Sequence, residues 1–133
     1  MRSILASAAL SVCIAAPAGA QEAEIEGVIG AQIDAFQIDD YATAFGFASP
    51  MIQGMFQTPE NFGLMVRQGY PMVHRPDAVQ YLTLEDTGGI LRQTVMIRDT
   101  SGTLHFLQYD MVDGPDGWKV NGVRIIRNPD VGA

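Results

Sequence analysis

The sequence is short of the residues on which much protein chemistry is built. It holds one cysteine, at position 13, and two histidines, at positions 74 and 105. A zinc ion takes three or four Cys, His or carboxylate ligands in register, so no metal site is predicted, and no cofactor either. Basic residues are also few: 8 Lys and Arg stand against 15 Asp and Glu, for a formal net charge of −7. Nucleic acid and anionic membrane both require clustered Lys and Arg. Neither is expected as a partner, and the scattered acid reads as a source of solubility. The chain has no G-x-S-x-G nucleophile elbow, no phosphate-binding loop and no dinucleotide fingerprint, which removes three common enzyme classes at the level of motif.

The first twenty residues, MRSILASAALSVCIAAPAGA, combine Arg2, an apolar stretch of thirteen from Ile4 to Ala16, and the ending Ala18-Gly19-Ala20. That is the pattern of a secretory signal peptide, with cleavage predicted between Ala20 and Gln21. The stretch is too short for the roughly 30 Å of hydrocarbon that a membrane helix crosses. No stable membrane insertion is expected once the leader is cleaved. A lipid anchor on Cys13 is disfavoured by the bulk of Val12 just before it. Cleavage removes both Arg2 and Cys13. The remaining 113 residues, with a charge of −8 and no thiol, must be held by an ordinary core in a periplasmic or secreted setting. That length suits one domain, 21–133.

Residues 22–38 read as a helix, because Ile25, Val28, Ile29, Ile33 and Phe36 recur at three- and four-residue steps. Gly27 and Gly30 weaken it and suggest close approach of another element. Asp39-Asp40 offers a cap for a short helix carrying Tyr41, Ala44, Phe45 and Ala48; Ser49-Pro50 offers another, over 50–55. Thr58-Pro59-Glu60-Asn61 opens a helix with Phe62, Met65 and Val66 on one face, closed by Gly69. After Pro76 the period falls to 2, and four strands are predicted near 77–84, 90–98, 103–112 and 118–127, separated by short turns rich in Gly, Asp and Ser. Helices followed by a meander predict an α+β fold, with the N-terminal helices packed on a four-stranded antiparallel sheet.

Three stretches carry a resemblance: DAFQIDDYATAFGFASP, TPENFGLMVRQGYPMVHRP and GWKVNGVRI. They resemble a secreted bacterial family catalogued as domain of unknown function 4864, and the layout is similar to the nuclear transport factor 2-like superfamily. The resemblance spans essentially all of the chain after the leader. It implies a cone-shaped, nuclear transport factor 2-like or cystatin-like fold, a curved sheet wrapped around helices, often with an apolar pocket and often a homodimer. Members of that superfamily include isomerases, dehydratases and non-catalytic binding modules, so the fold leaves function open.

The hairpin between the second and third strands assigns the faces. Pairing Arg98 with Thr103 puts Ile97/Leu104, Val95/Phe106, Gln93/Gln108 and Leu91/Asp110 on one side. Such a face is apolar at its base and polar at its mouth, as a pocket lining would be. The other side then carries Met96/His105, Thr94/Leu107, Arg92/Tyr109 and Ile90/Met111. A slip of one residue would exchange the two. On this reading Phe106, Gln93, Gln108 and Asp110 are candidate ligand contacts, although the two glutamines also suit a cross-strand pair. Asp110 is the candidate general acid or base, with solvation or pairing to Arg124 as the plainer alternative. Trp118 anchors the last strand or lines the pocket, and Gly122 marks a bulge.

The stretch Gly69–Pro76, GYPMVHRP, reads chiefly as the joint between helices and sheet, since Gly69, Pro71 and Pro76 all have backbone duties. His74 is then packed or solvent-facing, and His105 a packed core or interface residue. At a pocket mouth, His74 and Arg75 would instead meet an anionic ligand. Three functions remain open. The first is a non-catalytic exported module binding a small apolar or amphipathic ligand, or a protein partner. The second is an acid–base isomerase or dehydratase using Asp110 with Tyr41 or His74. The third is a structural interaction protein that dimerises through its sheet.

Overall fold

A computed structural model describes residues 18–128. All but the last three residues of the predicted leader lie outside that range, so the leader and its cleavage are not among the features described. Helix α1 (Ala18–Gln37) is followed by α2 (Tyr41–Gly46), α3 (Pro50–Phe56), α4 (Pro59–Gly69) and the single turn α5 (Pro71–His74). Strands β1 (Pro76–Thr87), β2 (Ile90–Asp99), β3 (Leu104–Gly114) and β4 (Gly117–Ile126) form one antiparallel sheet in sequence order. The α+β class and the helices-then-meander order are those expected from the sequence. The short helix α5 is an addition: Pro71 opens a turn there as well as barring the continuation of α4.

The helix starts are written in the local sequence. Asp40, Ser49 and Thr58 each accept the backbone N–H of the residue three positions on, at 3.2, 3.3 and 3.1 Å, and prolines follow Ser49 and Thr58 at the first helical position. Helix α1 ends differently. Asp39 takes a left-handed φ of 57°, its N–H bonds Phe36 O at 3.1 Å, and Asp40 N–H bonds Ala35 O at 2.8 Å. This double bond pattern satisfies the last carbonyls of α1. Asp39 thus occupies a position that usually falls to glycine, and Asp40 alone caps α2.

The β2–β3 turn corrects the predicted register. Its loop is three residues, Thr100-Ser101-Gly102, with Gly102 at φ 88°, and Asp99 N–H bonds Thr103 O at 2.9 Å. A three-residue hairpin loop closing on a left-handed glycine is a favoured geometry. Asp99 is therefore the last strand residue rather than the first of the loop, and every facing pair moves by one. The pairs are Leu91/Met111, Gln93/Tyr109, Val95/Leu107 and Ile97/His105 on one face; Arg92/Asp110, Thr94/Gln108, Met96/Phe106 and Arg98/Leu104 lie on the other. The faces of β3 are exchanged relative to expectation, while those of β2 stand.

The core lies between the first of these faces and the helices. Val95, Ile97, Leu107, Tyr109 and Met111 pack there with Ile25, Ile29, Ile33 and Phe36 of α1, all at 2% exposure or less. Each large apolar side chain so buried contributes roughly 1.5–3 kcal/mol. Gly30 lets Tyr81 approach α1, and the Tyr81 hydroxyl donates to Glu26 O at 3.2 Å. A register shift in β1 between Tyr81 and Leu84 leaves carbonyls off the ladder. The buried Gln93 side chain answers them, its Nε2 donating to Leu82 O at 3.1 Å and to Thr94 O at 2.9 Å. In β4 the register shifts beside Gly122, where the sequence suggested a bulge. The segment 47–49 bridges the β4 edge there: Val120 N–H bonds Phe47 O at 2.9 Å and Ser49 N–H bonds Val120 O at 2.8 Å.

Candidate functional site

Between the helix layer and the inner faces of β3 and β4 lies a cavity of about 220 Å³. Phe36 closes it from α1, Ile52 and Phe56 from α3, Val66 from α4, Tyr109 from β3 and Val123 from β4. The wall supplied by α3 is thin, because none of its residues is buried. Met55, which also lines the cavity, is 63% exposed. Amphipathic spacing forms this helix, yet its neighbours leave a gap beneath it that side chains do not fill.

No carboxylate, histidine, lysine or arginine lines the cavity. The polar groups in its wall are Gln32, Tyr70 and Tyr109. Gln32 is buried and donates through Nε2 to Ala44 O at 3.1 Å, and the Tyr70 hydroxyl donates to Val123 O at 2.9 Å. Tyr109 differs. It is 1% exposed, and its hydroxyl has no hydrogen-bond partner among the described residues. Burial, with Tyr81 and Tyr70 nearby, pushes its pKa far above the ordinary phenol value, so it is a neutral donor at any physiological pH.

A second cluster forms at the end of α1. Three donors converge on one oxygen of Asp39: His74 Nε2 at 2.7 Å, Arg75 Nη2 at 3.1 Å and the Tyr41 hydroxyl at 3.3 Å. Arg75 Nη1 spends its two protons on Phe36 O at 2.7 Å and His74 O at 3.0 Å. Its 2.9 Å approach to His74 Nε2 is therefore a close contact, and Nε2–H donates to Asp39. The hydrogen bonds from His74, then Arg75, hold the Asp39 carboxyl below its usual range. Tyr41 lies flat against α4 at Gly63, where a Cβ would stand 2.6 Å from the ring. The cluster ties α1, α2 and α5 together, which is the joint predicted for GYPMVHRP. With its donors spent on one carboxylate, it offers no free nucleophile or base.

The predicted contacts are dispersed. Asp110 is on the outer sheet face, where Arg92 Nε donates to Oδ1 at 2.8 Å. Arg124 donates instead to Gln108 at 2.9 Å. Gln93 and Gln108 are on opposite faces and form no pair. Phe106 is also on the outer face, 7% exposed between its cross-strand neighbours Met96 and Ile126. Trp118 is packed in the core and borders a separate shallow cleft with Val28 and Phe47. His105 Nε2 lies 2.8 Å from Asp99 Oδ2 in the hairpin turn. None of Gln93, Gln108, Asp110, Phe106, Trp118 and Arg75 lines the cavity. The acid–base set is also broken, since Asp110 does not share a face with the Asp39 cluster that holds Tyr41 and His74. Tyr109 was missed for the same one-residue error, and Gly102 was the signal that could have exposed it.

Among the described residues, no group of three His, Cys, Asp or Glu side chains could hold a metal ion, and no helix is long and apolar enough to cross a membrane. The molecule is thus an α+β domain whose helical layer and open antiparallel sheet enclose an apolar cavity. The family model described as domain of unknown function (DUF4864) matches residues 18–133, and the chain belongs to that family. No curated protein matches it.

Proposed function

We propose that this domain is the non-catalytic binding module of an exported protein, and that it takes a small apolar or amphipathic molecule into the cavity between α3, α4 and the sheet. The observation that carries this reading is the cavity itself, about 220 Å³ with walls that are mostly apolar. A dry apolar cavity of about 150 Å³ already accepts benzene in a well-studied engineered protein. Proton transfer at neutral pH needs a group of suitable pKa within reach, and the wall supplies none. The cone arrangement of the nuclear transport factor 2-like proteins, with its interior pocket, belongs to the same proposal.

Native mass spectrometry of the full chain isolated from its own host tests it. A bound small molecule is expected in the unaltered protein and is expected to be lost in Ile52→Trp, which fills the cavity from a helix with no buried residues. A ligand-free spectrum, together with no thermal stabilisation by any small hydrophobic compound, would overturn the reading.

A further inference from the structure

The cavity also carries information about the kind of molecule that fits it. Two buried side-chain polar atoms lack a partner among the described residues, Gln93 Oε1 and the Tyr109 hydroxyl. Only the second belongs to a residue of the cavity wall. Buried polar groups are nearly always paired, and each exception asks for an explanation. Gln93 has one: its amide is held by its Nε2 bonds to the strand carbonyls, and the orientation that makes those bonds leaves the oxygen over. Tyr109 has none within the chain. It is fully enclosed, and it stands among apolar side chains where phenylalanine would pack as well.

We propose that the cavity takes an uncharged molecule of about one ring's size bearing a single accepting oxygen, such as a ketone, aldehyde or ester carbonyl, to which the Tyr109 hydroxyl donates. This rests on the ligand-binding reading and narrows it. A pure hydrocarbon would leave the hydroxyl unpaired. A carboxylate would be buried without a cation, since none lines the wall, and an unpaired buried charge is strongly penalised. A cationic amine fails for the same reason, as the wall holds no carboxylate. The raised phenol pKa agrees, because it keeps the proton on the oxygen that must donate it.

Acetophenone and cumene separate the possibilities. They are close in shape, and only the first has an oxygen; benzoate serves as the charged third probe. Binding to the full chain is measured by NMR titration, for the unaltered protein, Tyr109→Phe and Ile52→Trp, with circular dichroism to establish that each variant is folded. Acetophenone and cumene are expected to bind and benzoate to be rejected. Tyr109→Phe is expected to weaken acetophenone about tenfold relative to cumene, the usual scale for losing a buried hydrogen bond, and Ile52→Trp to abolish both. If cumene binds while Tyr109→Phe leaves the acetophenone-to-cumene ratio unchanged, or if benzoate binds as well as either, the carbonyl inference is wrong and the binding module stands. If neither neutral probe binds, both fall.

Discussion

The two faces of the β2–β3 hairpin are made from the same strands, yet they treat polar groups in opposite ways. On the outer face Arg92 meets Asp110, and Gln108 takes a proton from Arg124, so polar side chains there are matched by neighbours or water. On the inner face the directly opposed pair is Gln93 and Tyr109, both buried and each with an oxygen unpaired. An unmatched buried polar group costs about 1–3 kcal/mol. The polar outside is ordinary; the slightly polar inside is where stability has been given up, and departures of that kind point to function.

The comparison can be tested by substitution. The largest effect is expected from Leu107→Ala, at a fully buried inner position. It should lose about 3 kcal/mol of unfolding free energy in a urea titration. Tyr109→Phe is expected to do the reverse, raising the stability of the empty protein by about 1 kcal/mol because the unpaired hydroxyl is gone. A loss instead would mean that the hydroxyl is already satisfied in the free protein, and the contrast between the faces would disappear. Asp110→Asn on the outer face is expected to cost less than about 1 kcal/mol, the usual scale for an ion pair open to solvent.

A fourth expectation concerns acid, and its effect is the smallest. Asp99 at the hairpin turn accepts from the Ser101 hydroxyl at 2.6 Å and lies 2.8 Å from His105 Nε2, and these bonds, the first above all, hold its carboxyl far below the usual range. Its folded pKa is therefore lower than its unfolded one. The unfolded chain takes up the proton first as pH drops, so the contribution of Asp99 is present above about pH 4 and fades below it. Asp99→Asn is expected to flatten the stability profile between about pH 4 and pH 2, read by thermal melts across that range.

The order of elements was legible in the sequence because its signals are local. Asp40, Ser49-Pro50 and Thr58-Pro59 announce their helices within four residues, and the four strands begin and end within a few residues of where their patterns place them. The face assignments were not legible, because they depend on one count in one loop. Asp99 looks like a turn residue by composition, and its side chain does organise the turn, while its backbone still belongs to the strand. That one residue moved Phe106, Gln108 and Asp110 to the outer face and brought Tyr109 inside. Asp39 was obscured by distance, since its partner His74 is 35 positions away in the chain. Its left-handed backbone is also a property that no spacing rule reads from Asp.

Helix α3 has one more consequence, which is mechanical. Its first residue follows Ser49, whose backbone is stitched to β4 and whose hydroxyl donates to Asn121 at 2.7 Å. Its last residue, Phe56, is gripped through its carbonyl by Asn61 of α4 at 3.0 Å. One end of this short rod moves with the sheet and the other with the helix layer. Anything that pries the two layers apart must therefore tilt it, and with no buried side chain it has little to resist the rotation. An arriving guest would be felt first as a change in the slope of α3.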